Sequence, residues 1–271
     1  MSDPENETEA TGPAAAPRLS IVIPIFNESA ILETAVRGFQ AAIDETKLDD
    51  GATYELILAE NGSTDGTGAI ADRIAAEDSR VRAIHVGEPN YGRALKEGIR
   101  AARGEFVLCD EIDLCDIDFH SRALSILETR AAELVVGSKA LAAASDQRPL
   151  FRRAGTRVIN GLLQATLDFK GTDTHGLKAF RRAPLADVVD ACVVEKDLFA
   201  SEFVIRAGRM GRRVTEIPVD VREKRRTPIS LIRRVPNVLL NLGRLIVTIR
   251  WEEARRSAAG KGKGGAEHGE G

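Results

Sequence analysis

The run RLSIVIPIF at Arg18–Phe26 constrains this chain most. It is apolar and largely β-branched at successive positions. A strand made from it must be buried on both faces, which requires a sheet covered by helices on both sides. The first half repeats the theme. Tyr54–Ala59, Arg80–Val86, Glu105–Cys109 and Glu133–Gly137 read as further strands. Between them, Ala30–Glu45, Gly68–Ala76, Gly92–Arg103 and Phe119–Ala131 read as helices, the first offered capping side chains by Asn27, Glu28 and Ser29. This alternation predicts βαβ units and an α/β fold around a parallel sheet. Right-handed crossovers then place the strand C-terminal ends, and any ligand, along one edge.

The second half is less regular. Leu150–Leu167 reads as an amphipathic helix, and Thr172–Phe180 as a loop feeding a short strand. Lys196–Gly208 reads as a helix, Val214–Val221 as a strand and Arg222–Ser230 as a basic loop. The tails at 1–17 and 257–271 are low in core-forming residues and are expected to be disordered.

Composition excludes several classes. A formal net charge of −3 and 4% aromatic residues argue against a nucleic-acid binder, which needs a basic face or stacking platforms. The three cysteines show no CxxC spacing, so neither a disulfide framework nor a zinc ribbon is expected. The N-terminal segment carries four acids before Arg18 and no apolar core, unlike a signal peptide. No uncharged apolar run reaches the roughly 18 residues of a spanning helix.

Carboxylates gather at the predicted strand ends: Glu60, then Asp65, then Asp110, Glu111 and Asp113. Massed acids repel one another unless a cation sits among them. A hard divalent ion such as Mg²⁺ or Mn²⁺, with oxygen ligands, would bridge them to the phosphates of a nucleotide. The same acids would also serve to end a strand and start a helix. No GxGxxG follows the first strand and no GxxxxGK[ST] is present, which disfavours dinucleotide oxidoreductases and P-loop proteins.

Taken in order, SIVIPIFNES, ELILAENGSTDGT and NYGRALKEGIRAARGEFVLCDEIDL resemble the family 2 glycosyltransferases of GT-A fold. LVVGSK, RPLFRRAGTRVINGLL, TDTHGLKAFRR and EIPVDVREKRRTPIS are similar to the polyprenyl-phosphate branch, which includes the dolichyl-phosphate mannose and glucose synthases. The resemblance implies a GT-A nucleotide-diphosphosugar transferase fold with a mostly parallel central sheet flanked by helices. It implies a catalytic domain at 18–226, followed by an amphipathic basic helical segment at 227–256. It implies inverting transfer of a sugar from a UDP- or GDP-sugar to a polyprenyl phosphate, with Mg²⁺ or Mn²⁺, at the inner face of the cytoplasmic membrane. A soluble or protein hydroxyl acceptor, or a non-catalytic nucleotide-sugar-binding scaffold, are the alternatives.

By the same resemblance Pro24, Phe26 and Glu28 line the nucleoside pocket, Glu60 grips the nucleoside, and Asp65 and Arg93 lie nearby. Asp113 matches the metal-binding acid of the DxD motif. Glu111 stands at its first Asp, and Asp110 lies one residue upstream. Because a phosphate acceptor is already anionic, arginines must draw the two phosphate groups together; Arg152, Arg153, Arg222, Arg225 and Arg226 are the candidates. A hydroxyl acceptor would instead need a base, with Asp173 or Glu202 as candidates. Three positions depart from the family pattern: Glu60–Asn61 replaces a paired Asp, the DxD is Asp110–Glu111–Ile112–Asp113, and Pro228 stands where a Gly is usual.

From Arg206 to Arg250 twelve Lys or Arg face three acids, a net +9. Within this stretch Val235, Val238, Leu239, Leu242, Leu245, Ile246 and Ile249 recur at helical spacing. The pattern predicts a helix lying on an anionic membrane surface, or alternatively one packed on the catalytic domain or on a second subunit.

Overall fold

The computed structural model describes residues 16–49, 51, 53–139, 141, 158, 161–167, 169–174, 177–195, 198–219, 240–252 and 255. The elements run β1 (Leu19–Ile25), α1 (Leu32–Thr46), β2 (Tyr54–Glu60), α2 (Thr67–Glu77), β3 (Val81–His85), α3 (Tyr91–Ala101), β4 (Phe106–Cys109), α4 (Ile117–Glu128) and β5 (Leu134–Ser138). They continue with β6 (Lys178–Arg181), α5 (Arg182–Ala191), α6 (Phe199–Arg209) and β7 (Val214–Pro218). Helical stretches are also described at 161–167 and 240–252.

The strands form one seven-stranded sheet of order β3-β2-β1-β4-β6-β5-β7. The pairs β2–β3, β1–β2, β1–β4 and β5–β7 are parallel, while β6 is antiparallel to both β4 and β5. The reversal has a simple cause. The chain leaves the C-terminal end of β5 and re-enters the sheet at Lys178, which is paired with Val136 of β5 and Cys109 of β4. A strand entering from that edge can only run downwards.

As expected of β1, consecutive residues point into different cores. Ile21, Ile23 and Ile25 pack with Phe39 of α1, Ile74 of α2 and Phe119 of α4. Val22 packs on the opposite face with Leu95 of α3, Val188 of α5 and Phe203 of α6. Gly98 lets α3 lie directly on β1, since a Cβ there would collide with Val22.

A third cluster bears on the two readings of the C-terminal helix and favours packing on the domain. Leu242, Leu245 and Ile249 are buried with Leu163, Leu167, Val194, Leu198 and Ile205, and Ile246 packs against them. The described part of the predicted membrane-facing stripe is therefore spent on the domain itself. Val235, Val238 and Leu239 lie outside the described residues. Arg206 fastens the helix further, bonding Glu252 through Nη1 (2.6 Å) and Nη2 (3.0 Å). No described helix is long and apolar enough to cross a membrane.

Candidate active site

The loops after β1 and β2 are stitched together. Asn27 Oδ1 accepts from Thr64 N (2.9 Å), and Asn27 N donates to Ser63 Oγ (3.0 Å). Glu28 N donates to Thr67 Oγ1 (2.8 Å), and Ser29 N to Asp65 Oδ2 (3.1 Å). These side chains do not cap α1: its cap position is Ile31, with no side-chain cap bond. Gly62 has φ +71, and a Cβ there would sit 2.8 Å from the Glu88 backbone, so the turn tolerates only glycine. Pro24 is buried in β1, Phe26 is 37% exposed just beyond it, and Glu28 is half-buried. The exposed Asp65 also accepts from Thr67 N and Oγ1 (3.1 and 2.5 Å). Desolvation opposes its ionisation, but the Thr67 and Ser29 bonds prevail and hold its carboxyl well below the usual range.

Glu60 ends β2, 5% exposed. Its Oε1 accepts from Ser63 N (2.5 Å), and Oε2 lies 3.3 Å from His85 Nδ1. Burial opposes its ionisation, but the bonds from Ser63, His85 and Gly62 prevail and hold it ionised. The next residue, Asn61, accepts from Asn90 N with its side chain. Asn90 caps α3 by accepting from Arg93 N (3.0 Å), which places Arg93 in the first helical turn, ion-paired to Glu88 (3.2 Å). Tyr91 follows, 41% exposed as a residue. Enclosure of its hydroxyl end, then the charges of Glu111, Cys109, Asp110 and Asp113, push the phenol well above its ordinary pKa. The rim is thus continuous: Glu60 and Asn61 adjoin Asn90 and Tyr91, and Tyr91 stands in the field of the acids beyond β4.

Those acids have unequal roles. Asp110, 2% exposed, accepts from Glu111 N (2.6 Å) and Asp116 N (3.0 Å) and meets His120 Nε2 at 2.6 Å. It organises the loop. Neither Asp110 nor Asp113 caps α4; Asp116 does, accepting from Phe119 N (2.9 Å). Glu111 is pushed above the usual glutamate range by burial, with Asp113 and Asp110 adding to the shift and Lys139 and Lys178 opposing it.

Sequence reasoning passed over Lys178. It is 2% exposed, and burial lowers its pKa to about 8 against the charges of Cys109, Asp173 and Glu111. The available signal was a lysine inside the apolar run Leu177–Phe180. Asp173, 1% exposed, accepts from Lys139 N (3.3 Å) at the same end of the sheet. Glu216 of β7 holds this loop through Thr172 N (2.7 Å) and Thr172 Oγ1 (2.5 Å).

Glu202 is a correction. It is fully buried, accepts from Val193 N (2.9 Å) and Val194 N (2.6 Å), and pairs with Arg206 Nε (2.7 Å). A carboxylate enclosed in this way cannot collect a proton from an acceptor; it is part of the scaffold. Arg152, Arg153, Arg222, Arg225, Arg226 and Pro228 lie outside the described residues.

The topology places the chain in the GT-A class of nucleotide-sugar transferase folds. Glucosyl-3-phosphoglycerate synthase from Mycobacterium tuberculosis, crystallised with Mn²⁺, UDP-glucose and phosphoglyceric acid, superposes with a TM-score of 0.57 at 19% identity, over 85% of this chain and 81% of that one. Within this class the chain belongs to glycosyl transferase family 2, whose sequence model matches residues 20–188. It is 32% identical over 256 residues to glycosyltransferase AglD of Haloferax volcanii, covering 93% of this chain and 40% of that protein. It is 31% identical over 219 residues to the undecaprenyl-phosphate 4-deoxy-4-formamido-L-arabinose transferase of Salmonella enteritidis, covering 78% of this chain and 62% of that protein. The chain therefore spans less than two thirds of the length of either relative.

Proposed function

We propose that this chain transfers a sugar from a nucleotide diphosphosugar to a polyprenyl phosphate, with inversion at the anomeric carbon. The observation that carries this reading is the acid rim, where Glu111 is held above its ordinary pKa by burial and by neighbouring acids. The Salmonella relative, named for undecaprenyl phosphate, supports the acceptor class. An oxygen of the acceptor phosphate attacks the anomeric carbon, the bond from that carbon to the donor diphosphate breaks, and the nucleoside diphosphate leaves. No proton need be removed from the acceptor, which suits the enclosure of both Asp173 and Glu202.

The donor set suits a divalent cation. Glu111 and Asp113 offer hard oxygen ligands, and a cation beside Glu111 would help ionise a carboxyl that desolvation holds above its usual range. Among the described residues no group of three His, Cys, Asp or Glu could hold a metal by itself. Two carboxylates and donor phosphate oxygens would complete the shell, as is usual for Mg²⁺. Bound there, the ion would neutralise charge building on the leaving diphosphate. Glu60, with Pro24, Phe26, Glu28, Asp65 and Arg93, forms the nucleoside end, and Lys139 and Lys178 add positive charge beside the acids. Arg152, Arg153, Arg222, Arg225 and Arg226 are proposed for the acceptor phosphate. Peripheral contact with a lipid surface would use the outward side of helix 240–252, where Leu240, Val247 and Trp251 are exposed among Arg244 and Arg250.

The test is transfer of radiolabelled sugar into organic-extractable lipid, with UDP- and GDP-sugars, Mn²⁺ and polyprenyl phosphate. Metal-dependent label in the lipid phase supports the reading. Label appearing only on a soluble hydroxyl acceptor, or no turnover despite donor binding, refutes it.

A further inference from the structure

His120 is the most enclosed titratable group near the rim. It is fully buried on α4, packed between Phe39 (ring centroids 6.1 Å) and Phe119 (5.4 Å). Its Nε2 meets Asp110 Oδ2 at 2.6 Å, while its Nδ1 has no hydrogen-bond partner among the described residues. Leaving a buried ring nitrogen without a partner is unfavourable, so the bond made by the other nitrogen must matter to the structure around it. Asp110 uses that same oxygen to accept from Asp116 N (3.0 Å) and its other oxygen to accept from Glu111 N (2.6 Å). The loop is closed further by Leu114 N and Cys115 N donating to Glu111 O (2.9 and 3.2 Å), with Cys115 at φ +48. His120 therefore reaches from the aromatic core to the single carboxylate that ties both ends of the acid loop.

We infer that His120 is a positioning residue: through Asp110 it fixes the backbone from which Glu111 and Asp113 present their carboxylates to a divalent cation. This deepens the proposed function and rests on its metal site. Outer groups that orient ligands typically affect metal affinity or activity by about 10–100-fold.

The test is Mn²⁺ binding, read by electron paramagnetic resonance of the free ion with whichever of UDP and GDP gives the larger thermal shift. Thermal melts without metal accompany it. His120→Phe keeps the packing and removes the donor; Mn²⁺ affinity is expected to fall about 10–100-fold. His120→Gln, whose amide reaches Asp110, is expected to recover most of the loss, whereas the shorter His120→Asn is not. The two amides hold polarity fixed, so their contrast decides the matter if the Phe variant does not fold. Equal Mn²⁺ affinity in the Gln and Asn variants, or unchanged affinity in a folded Phe variant, overturns the inference. Asp113→Ala separates the two levels. If it abolishes Mn²⁺ binding while the His120 variants bind normally, only the positioning role fails; if it leaves binding unchanged, the metal site and the inference fail together.

Discussion

Two carboxylates at opposite ends of the same sheet, Glu55 buried and Glu111 half-buried, behave in opposite ways. Glu55, near the start of β2, is 1% exposed and pairs in register with Ser20. It accepts from Ser20 Oγ (2.6 Å), Arg82 Nη1 (2.8 Å), Arg103 N (2.7 Å) and Arg103 Nε (3.0 Å). Burial alone would raise its pKa, but these donors more than offset it and the carboxyl is held below the usual range. Glu111, past the end of β4, is raised by burial, and the acids beside it add to the shift. One end of the sheet saturates its acid with cations and gains stability. The other sets acids side by side with only Lys139 and Lys178 opposing them, the setting proposed above for a divalent cation.

The largest effect expected from breaking this contrast is at the acid-rich end. Asp113→Ala should lower sugar transfer at least about a hundredfold, since it removes charge stabilisation of the leaving group. Its stability without metal should stay within about 0.5 kcal/mol of the parent, and Mn²⁺ should no longer raise its melting temperature. Transfer retained at the parental rate would remove Asp113 from the metal site.

At the other end the pattern should invert. Glu55→Ala leaves Ser20, Arg82 and Arg103 without their shared acceptor. Breaking a buried pair costs roughly 3–5 kcal/mol, but the Arg82 and Arg103 side chains are 34% and 58% exposed, so about 2 kcal/mol is expected. Urea denaturation measures the loss. Transfer per folded molecule should be unchanged, and a fall in kcat comparable to that of Asp113→Ala would dissolve the distinction between the two ends.

Acid titration sharpens the comparison by a smaller margin. Glu55 is depressed below the ordinary glutamate value of 4.5. Asp78 is lowered to about 2, chiefly by its bond from Arg80. For such groups the unfolded chain binds more protons below its own pKa, so their contribution is complete above it and declines as pH falls towards the folded value. Stability should therefore drop as pH falls below about 4.5 for Glu55 and below about 3.8 for Asp78, the Asp78 contribution being on the order of 1 kcal/mol. Glu55→Gln should flatten this limb. An unaltered slope in that variant would show that Glu55 does not carry it.

The two halves of the molecule also differ in how far their sequence discloses them. From β1 to β5 every strand and helix falls within a few residues of its expected place, because buried parallel strands read as continuous apolar runs and each is punctuated by a turn. Beyond β5 that relation weakens. The reversal of β6 depends on where the chain re-enters the sheet, which no local pattern encodes. Helix α5 has its buried residues at Leu185, Val188 and Val189 alone and was not anticipated. The apolar stripe of the C-terminal helix was visible, but the pattern alone did not choose between a membrane surface and the domain as its partner. At the site, Glu60, Glu111 and Asp113 were legible because acids at strand ends are conspicuous. Lys178 was hidden within an apolar strand, and Glu202 resembled a base until its partner Arg206 and its complete burial came into view.

Asp65 provides the smallest and most discriminating change. It is exposed, and it joins the β1 and β2 loops through Ser29 N and Thr67. Water can replace a bond at an exposed site, so Asp65→Ala should cost only about 0.5–1 kcal/mol of stability. The loops it joins also carry Phe26, Glu28 and Ser63, and Ser63 N in turn bonds Glu60 at the nucleoside end. Loosening them should weaken binding of donor without disturbing the groups proposed to meet the leaving diphosphate. The expected result is a donor KM raised by about threefold to tenfold with kcat nearly unchanged, since uniform binding is lost rather than transition-state stabilisation. A fall in kcat with KM constant would instead place Asp65 in the chemistry itself and extend the acid-rich rim back to the second turn.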